Sequence, residues 1–345
     1  MNRLILLLMI FNSYFVFGQN VVEVQRTELS KEFNETVKKA IQYKDSTIYK
    51  KIENFENGLK IAKSRYEKYR IIFNSLGQRY TSTKQYDKAI DLWIAANKEG
   101  IFFPFDLNDK DDLPYLQKYI DNKRFRDFLL VNDRLRDSAN INSKTEYFVN
   151  LPVNYSPHVK YPLIIVMHGG SGNNINAYYD WESKEINKDF ISVYPRGKEM
   201  EGSHSSRYGQ SGITDINEIY QQVIKKYSID TLKIILAGQS LGGHLAIRLS
   251  YNTIPARGLL LAFPVKPVDF DYKKAIEFKK RNFKIVMVCG ERDDDFFPGQ
   301  QEMSNILDSA KVENRFIRYP ELGHGFPKDF SEQIAKGLQY LLTNE

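Results

Sequence analysis

One stretch, KIILAGQSLGGHLAIRLS at positions 233–250, constrains the fold more than any other part of the chain. Its first five residues have the apolar character of a buried strand, and apolar residues at helical spacing resume at Leu241. Only a few small or polar residues lie between these elements, so the chain must reverse sharply. Gly238 and Gly242 flank Ser240 at positions where larger side chains would collide with the backbone of such a turn. The stretch therefore predicts a strand, a tight turn and a helix, with the Ser240 hydroxyl exposed at the apex.

Apolar stretches that alternate with helix-patterned segments follow Glu146. Several are apolar at consecutive positions, which is typical of strands covered on both faces. This alternation predicts a doubly wound, mainly parallel α/β sheet, in which ligands bind at the carboxyl ends of the strands. The predicted strands are Tyr147 to Leu151, Leu163 to His168, Phe190 to Tyr194, Lys233 to Ala237, Leu259 to Phe263, Ile285 to Cys289 and Phe316 to Tyr319.

A Gly-x-Ser-x-Gly match can arise by chance in a glycine-rich loop, so the other strand ends decide whether Ser240 is catalytic. One predicted strand ends in HGGSG, residues 168–172, whose uncovered backbone N–H groups suit a developing oxyanion together with the N–H of Leu241. A second strand ends before Asp293 to Asp295, and a third presents His324 between two glycines. The chain order Ser, Asp, His predicts a nucleophile, an acid and a base at one edge of the sheet.

Residues 146–343 resemble the α/β-hydrolase superfamily through these motifs. The pieces YPLIIVMHGGSG, YSIDTLKIILAGQSLGGHLAI and ELGHGFP are similar to esterases of the carboxylesterase and the feruloyl or polyhydroxybutyrate esterase type. The resemblance implies a serine hydrolase that needs no cofactor. In it Ser240 is the nucleophile, His324 is the general base, and the N–H groups of Gly170 and Leu241 form the oxyanion hole.

The acid of the triad is less clearly marked, because three aspartates stand together in the loop. The spacing Gly290-x-x-Asp293 matches the position of the acid in the family that the chain resembles. Asp293 is therefore expected to orient His324, while Asp294 and Asp295 point to solvent or cap the following helix.

The remaining histidines have other expected roles. His168 belongs to the glycine-rich loop, where its ring is expected to brace the backbone. His204 and Arg207 lie in the polar segment EGSHSSRYGQSG and are predicted to contact the substrate, with a merely solvated loop as the alternative. No histidine has metal-ligand spacing to Cys or Glu, so no metal site is predicted.

The opening MNRLILLLMIFNSYFVFGQN has an early arginine, an apolar core and a small residue, Gly18, where a signal peptide would be cleaved. We interpret residues 1–18 as a signal peptide and expect a secreted or periplasmic protein without stable membrane insertion after cleavage. A membrane anchor or a buried strand are the alternatives. The only cysteine is Cys289, so an exported chain would have no intramolecular disulfide.

The part from residue 19 to residue 137 is charged, helix-patterned and without a strand-like run of useful length. A polar linker is predicted at residues 138–145, followed by the catalytic domain, residues 146–345. Within the helical part, Phe73-x2-Leu76-Gly77-x2-Tyr80 followed by Ala89-x3-Trp93 resembles one tetratricopeptide repeat, but no second copy is found at the 34-residue period. We favour a helical prop packed on the other domain, with protein docking as the alternative.

The net charge of +6 could indicate nucleic acid as a partner, but the basic residues are scattered among nearly as many carboxylates. Nucleic-acid binding is therefore not expected. The leading hypothesis is a secreted esterase that acts on a small-molecule or saccharide-linked ester. A prolyl-oligopeptidase-type peptidase and an inert hydrolase-fold binding protein are the alternatives. Because every catalytic motif lies beyond Glu146, a fragment starting near Asn142 is expected to keep some activity.

Overall fold

The computed structural model describes residues 20–42, 47–108 and 113–343. The predicted signal peptide, residues 1–18, lies outside these described residues. The strands are β1 (Val21–Glu23), β2 (Thr145–Asn150), β3 (Tyr161–Met167), β4 (Ile191–Pro195), β5 (Glu199–Gly202), β6 (Ser205–Arg207), β7 (Ile229–Gln239), β8 (Gly258–Ala262), β9 (Lys284–Gly290) and β10 (Glu313–Tyr319).

Helices surround these strands and also form a separate region between β1 and β2. They are α1 (Lys31–Gln42), α2 (Ile48–Ile61), α3 (Arg65–Ile71), α4 (Gln78–Ser82), α5 (Tyr86–Lys98), α6 (Leu113–Leu116), α7 (Lys123–Asn140), α8 (Asn174–Asp180), α9 (Lys184–Asp189), α10 (Gly212–Lys226), α11 (Leu241–Asn252), α12 (Tyr272–Lys280), α13 (Phe297–Ser309) and α14 (Phe330–Leu342). A π-helical stretch, Ile72–Gly77, joins α3 to α4.

Eight strands form one sheet in the order β1-β2-β4-β3-β7-β8-β9-β10. From β4 to β10 all neighbours are parallel, whereas β2 runs antiparallel to β4. The predicted doubly wound, mainly parallel sheet is thus confirmed, and the fold is that of an α/β hydrolase. All seven predicted strands are present, with boundaries that differ by a few residues.

The sheet is covered by helices on both faces, as the consecutive apolar positions predicted. In β3, Ile165 packs in one hydrophobic core with Val223 of α10 and Leu249 of α11. Its neighbour Ile164 packs in a second core, with residues such as Leu338 of α14. Successive side chains of a strand point to opposite faces, so both faces of this strand are buried.

The structure corrects the predicted division of the chain in two places. The segment predicted to be wholly helical begins with β1, which pairs in parallel with β2 at the edge of the large sheet. Half of the predicted linker, residues 138–145, is regular structure, because α7 continues to Asn140 and β2 begins at Thr145. The helical region is therefore inserted between two neighbouring strands of the sheet.

The pair of helices that resembles a tetratricopeptide repeat packs through the residues that suggested it. Trp93 of α5 is fully buried, and a Cβ added at Gly77 would lie 3.1 Å from its Nε1 atom. A larger residue at Gly77 would therefore push the two helices apart. The relationship to tetratricopeptide repeats stays a prediction.

The helical region contacts the sheet region through the hairpin of β5 and β6. Phe102 and Ser203 exchange two hydrogen bonds, from Phe102 N–H to Ser203 Oγ (2.7 Å) and from Ser203 N–H to Phe102 O (2.8 Å). Asn140 makes a second pair with the backbone of Met200, both bonds at 2.8 Å. No described helix is long and apolar enough to cross a membrane.

Candidate active site

The tight turn predicted around Ser240 is present at the carboxyl end of β7. Ser240 has φ 52° and ψ −121°, a left-handed conformation that a residue with a side chain rarely adopts. A Cβ at Gly242 would lie 2.2 Å from Met167 O, and a Cβ at Gly238 would lie 2.6 Å from the carbonyl of Gly242. Only glycine fits at these two positions, because β7 and α11 approach each other and β3 so closely.

Ser240, His324 and Asp293 form one chain of hydrogen bonds. The Nε2 atom of His324 lies 2.9 Å from Ser240 Oγ, and its Nδ1 atom lies 2.7 Å from Asp293 Oδ2. Asp293 is only 4% exposed, whereas Asp294 and Asp295 are exposed. The sequence spacing favoured Asp293, and of the three aspartates it alone hydrogen-bonds to the imidazole.

Of the two alternatives expected for Asp294 and Asp295, exposure to solvent is the one observed, because neither side chain caps the following helix. The residue before α13 is Phe296, and it makes no side-chain cap. The backbone carbonyl of Asp293 instead accepts the N–H groups of Phe296 and Phe297 at 3.0 and 2.7 Å. These bonds fix the loop that carries Asp293.

Sequence analysis missed the aromatic side chains around His324. The ring of Phe263 meets the imidazole edge to face at 4.7 Å, and the ring of Phe296 lies 5.0 Å from it. Phe263 has φ 36°, which is strained for a bulky residue, and its N–H donates to Val288 O at 2.7 Å. Strain of this kind occurs where the surrounding structure enforces it, often at functional sites. The position of Phe263 directly after β8 was the only sequence signal that this residue lies near the site.

The glycine-rich loop after β3 lies against the nucleophile turn. A Cβ at Gly169 would be 3.3 Å from Ser240 Cβ, and a Cβ at Gly170 would be 2.9 Å from Leu241 Cδ1. Leu241 is the first residue of α11, so its N–H has no acceptor within the helix, and the helix dipole favours negative charge there. The backbone of Gly170 therefore lies beside the N-terminus of α11, where the first helical N–H groups have no acceptor within the helix.

His168 braces this loop, as expected. Its Nδ1 atom lies 2.6 Å from Gly169 O, and Gly197 N–H donates to its Nε2 atom at 3.1 Å. These partners require the neutral tautomer with the proton on Nδ1, and the ring also stacks on Tyr208 at 4.5 Å. Burial, with a smaller effect of Arg196, lowers the pKa of His168 to about 4.

The two predicted substrate residues do not join the triad. His204 is wedged against the rings of Tyr66 and Tyr69, at 5.1 and 5.5 Å, and burial lowers its pKa to about 3. Arg207 is exposed and forms an ion pair with Glu201. Across the described residues, neither side chain hydrogen-bonds to Ser240, His324 or Asp293. His204 is half-buried against the helical region, whereas Arg207 lies in the exposed part of the loop, and substrate contact by these two residues stays a prediction.

The described residues contain no group of three or more His, Cys, Asp or Glu side chains arranged to hold a metal ion. Cys289 is buried at the end of β9, and burial raises the pKa of its thiol well above the ordinary value. A protonated, enclosed thiol is a poor nucleophile. The hydroxyl at the β7 turn is thus better placed than this thiol for nucleophilic chemistry.

Known proteins are similar to this chain in two ways: part of the sequence matches an esterase family and a curated enzyme, and the fold is similar to those of solved structures. Residues 138–254 match the family model Esterase, described as "Putative esterase". A stretch of 118 residues, 33% of this chain, is 30% identical to the bifunctional acetylxylan esterase/xylanase XynS20E of Neocallimastix patriciarum. The match spans only 16% of that enzyme's length.

Among solved structures, an uncharacterized protein from Bacillus cereus ATCC 10987 is similar, with a TM-score of 0.51 and 20% identity. The similarity covers 90% of this chain and 98% of that one, so it includes most of the helical region as well as the sheet. A carboxylesterase of Bacillus cereus is 14% identical with a TM-score of 0.45, over 60% of this chain and 97% of that one.

Proposed function

We propose that the protein is a serine hydrolase that cleaves carboxylic esters through Ser240, His324 and Asp293. The observation that carries this proposal is the unbroken chain of two hydrogen bonds from Ser240 Oγ through the imidazole to a buried carboxylate. The match to the Esterase family model and the similarity to XynS20E support an ester, rather than another acyl compound, as the substrate.

The first half of the reaction forms an acyl-enzyme. A serine hydroxyl is nearly inert at neutral pH, so His324 Nε2 takes the proton of Ser240 as Oγ attacks the ester carbonyl carbon. Asp293 accepts the hydrogen bond from Nδ1 and stabilises the charged imidazole that results. When the tetrahedral intermediate collapses, the bond to the alcohol breaks and His324 gives its proton to the departing oxygen.

The second half returns the enzyme to its starting state. A water molecule loses a proton to His324 Nε2 and attacks the acyl carbon. As the bond between that carbon and Ser240 Oγ breaks, His324 returns the proton to Oγ and the carboxylic acid is released. In both halves, negative charge develops on the carbonyl oxygen, where the N–H groups of Gly170 and Leu241 donate. Removal of one such donor typically costs about 2.7 to 4 kcal/mol of transition-state stabilisation. The strained turn at Ser240 therefore serves catalysis by presenting hydroxyl and N–H together.

We also propose that the enzyme acts outside the cytoplasm. The opening sequence, with one early arginine, an apolar core and Gly18, supports export. Amino-terminal sequencing of protein recovered from the medium or the periplasm should begin near Gln19. Recovery of uncleaved protein from the cytoplasm would contradict this part of the proposal.

A covalent probe tests the enzyme assignment directly. A fluorophosphonate should label the wild-type protein at one residue, and Ser240→Ala should abolish both labelling and hydrolysis of 4-nitrophenyl acetate. Ser309→Ala is the matched control, because that serine is exposed near the end of α13 and should leave labelling and turnover unchanged. If Ser240→Ala keeps wild-type turnover, the proposal fails.

A substrate panel separates ester from amide hydrolysis. The wild-type protein should hydrolyse aryl and alkyl acetates faster than the matching peptide amides. Faster cleavage of amides would favour the peptidase alternative. Labelling at Ser240 without turnover of any ester or amide would favour an inert binding protein.

A further inference from the structure

The segment that follows β8, residues 263–265, contacts two members of the triad directly. The ring of Phe263 lies edge to face against the imidazole of His324. Val265 N–H donates to the backbone carbonyl of Ser240 at 3.1 Å. This segment, the β8 loop, therefore holds the nucleophile turn and adjoins the base. The acid is joined to it through one further side chain.

That side chain is Gln300 of α13, which is fully buried. Its Nε2 atom donates to Pro264 O at 3.1 Å and to Asp293 Oδ2 at 3.4 Å. Asp293 Oδ2 is also the oxygen that lies 2.7 Å from His324 Nδ1. The two N–H bonds of one amide thus join the acid to the loop that holds the nucleophile turn.

The two acceptors determine how this amide is oriented. A carbonyl oxygen and a carboxylate oxygen both accept hydrogen bonds, so the NH₂ group of Gln300 has to face them. The opposite orientation would place Gln300 Oε1 against the negative charge of Asp293. In the observed orientation Oε1 is buried, and across the described residues it has no hydrogen-bond partner. A buried unpaired oxygen costs about 1 to 3 kcal/mol, so packing alone does not account for an amide at this position.

These contacts close a ring of hydrogen bonds around the triad. From Ser240 Oγ the ring passes through the imidazole and the carboxylate to Gln300, and it returns through the β8 loop to the backbone of Ser240. The nucleophile and the acid follow two different strands, β7 and β9, so their separation depends on such links. A misplacement of about 1 Å can cost about 10²-fold in rate. Gln300 is thus placed to hold Asp293 at a fixed distance from the nucleophile turn.

We propose that Gln300 is a positioning residue, which acts on the reaction only through the carboxylate of Asp293. The inference rests on the proposed function, because it concerns how the acid of that site is held. Since Gln300 is fully buried, it does not contact the substrate. Its removal should therefore lower kcat while KM stays nearly constant.

Gln300→Met tests this role, because methionine has a similar size and no N–H donor. A hydrogen bond to a charged group contributes about 1.5 to 3 kcal/mol. The bond to Asp293 is long, so the lower end applies, and kcat on 4-nitrophenyl acetate should fall about tenfold. Gln301→Met is the matched control, because the amide of Gln301 bonds only to Asn305 at the surface, and kcat should stay within about twofold of wild type. Wild-type kcat in Gln300→Met would overturn the inference.

A double-mutant cycle separates positioning of the acid from general support of α13. Asp293→Asn removes the carboxylate through which Gln300 acts, so the addition of Gln300→Met should lower kcat by less than about twofold further. The same tenfold loss in both backgrounds would indicate support of the helix alone and would overturn the inference. If Gln300→Met does not fold, as judged by circular dichroism, Gln300→Asn replaces it, because its amide is one methylene shorter and cannot keep both bonds.

A spectroscopic test does not depend on turnover. The proton between His324 Nδ1 and Asp293 gives a downfield NMR resonance, which is assigned by its absence from His324→Gln. This resonance should shift or broaden in Gln300→Met, because a less firmly held carboxylate lets the proton exchange faster with water, and it should stay unchanged in Gln301→Met. An unchanged resonance in Gln300→Met would overturn the inference and leave the esterase proposal standing. A changed resonance in a protein that hydrolyses no ester would support this role and contradict the esterase proposal.

Discussion

At the scale of single residues, Asp293 differs from its two neighbours only in where its carboxylate lies. It is buried and contacts His324 Nδ1, while Asp294 and Asp295 are exposed. We expect Asp293→Asn to lower turnover by about 10⁴, because an amide cannot stabilise the charged imidazole and favours the wrong tautomer. The measurement is kcat on 4-nitrophenyl acetate.

Asp294→Asn and Asp295→Asn are the matched controls for this substitution. Each makes the same chemical change one or two positions away, and each should keep turnover within about twofold of wild type. Equal modest losses in all three variants would show that the acid lies elsewhere.

His168 makes stability depend on pH. Its pKa is about 4 in the folded protein and about 6.5 when unfolded, so between these values the unfolded state binds more protons. Stability is therefore full above pH 6.5 and is lost as the pH falls toward 4. The loss from this one residue amounts to about 3 kcal/mol at pH 4. We expect Tm to fall over this interval, measured by thermal unfolding at constant ionic strength.

A variant isolates the contribution of His168 from that of other titrating groups. His168→Gln keeps an acceptor for Gly197 N–H but cannot be protonated, so its Tm should vary less between pH 6.5 and 4 than that of wild type. His158→Gln, at an exposed position, should follow the wild-type curve. A His168→Gln curve parallel to wild type would contradict the assignment.

The roles of these residues could be predicted from the sequence to different extents. Ser240 follows β7 directly between Gly238 and Gly242, and His324 lies between Gly323 and Gly325 in the loop after β10, so a local pattern suggested the role of each. The spacing from Gly290 favoured Asp293 as the acid, but its burial and its contact with His324, which separate it from its two neighbours, are visible only in the structure. The contacts of His204 with Tyr66 and Tyr69 could not be predicted, because those tyrosines are far away in sequence. Local patterns cannot report such contacts.

At the scale of elements, the turn between β7 and α11 depends on close backbone approach. A Cβ at Gly242 would overlap the carbonyl oxygens of Met167 and His168 at 2.2 and 2.3 Å. We expect Gly242→Ala to lower the free energy of unfolding by about 3 kcal/mol or more and to abolish activity, because backbone has to move. Chemical denaturation of the purified variant measures the change in stability.

Gly325→Ala tests whether the effect is specific to that turn. This glycine follows His324, but a Cβ there would meet no atom within 4 Å. The free energy of unfolding should therefore stay within about 0.5 kcal/mol of wild type. A comparable loss in both variants would argue against steric crowding as the cause.

The hairpin of β5 and β6 links the helical region to the glycine-rich loop. On one side, the hairpin hydrogen-bonds to Phe102 and Asn140 of the helical region. On the other, Ser206 N–H donates to Gly172 O at 2.9 Å and Ser205 Oγ donates to Ser171 O at 2.9 Å. This hairpin was not among the predicted strands, because its two segments are short and polar. A movement of the helical region would therefore be transmitted through this hairpin to the glycine-rich loop.

At the scale of the whole molecule, these contacts change the expectation for a fragment that starts near Asn142. Such a fragment lacks β1 and every helical partner of the β5–β6 hairpin. We now expect it to have a lower Tm than the full chain and to lose at least about tenfold in kcat/KM on 4-nitrophenyl acetate, since the oxyanion loop loses support. A fragment with full activity would show that the helical region is dispensable for small esters.

A substitution in the full chain distinguishes lost support from general misfolding. Asn140→Ala removes two hydrogen bonds to Met200 and leaves both regions otherwise intact. It should cost about 1 to 3 kcal/mol of stability and lower kcat/KM by a few fold. Unchanged stability and activity would contradict a role for this contact.

The sequence predicted the sheet well and the arrangement of its two regions less well. Long apolar runs marked seven strands, because strands buried on both faces need them. β1 has only three residues, Val21–Glu23, too few for any pattern to be seen. Its partner lies beyond the entire helical region, and only three-dimensional pairing reveals the insertion.

The pairing of β1 with β2 also determines when the sheet can be completed. Glu23 and Tyr147 are 124 positions apart, so β1 is synthesised long before its partner. Closing so long a loop is entropically costly unless the helices between have already collapsed and shortened it. We therefore expect the first strand made to be among the last to dock, and its late arrival to slow the final step of folding.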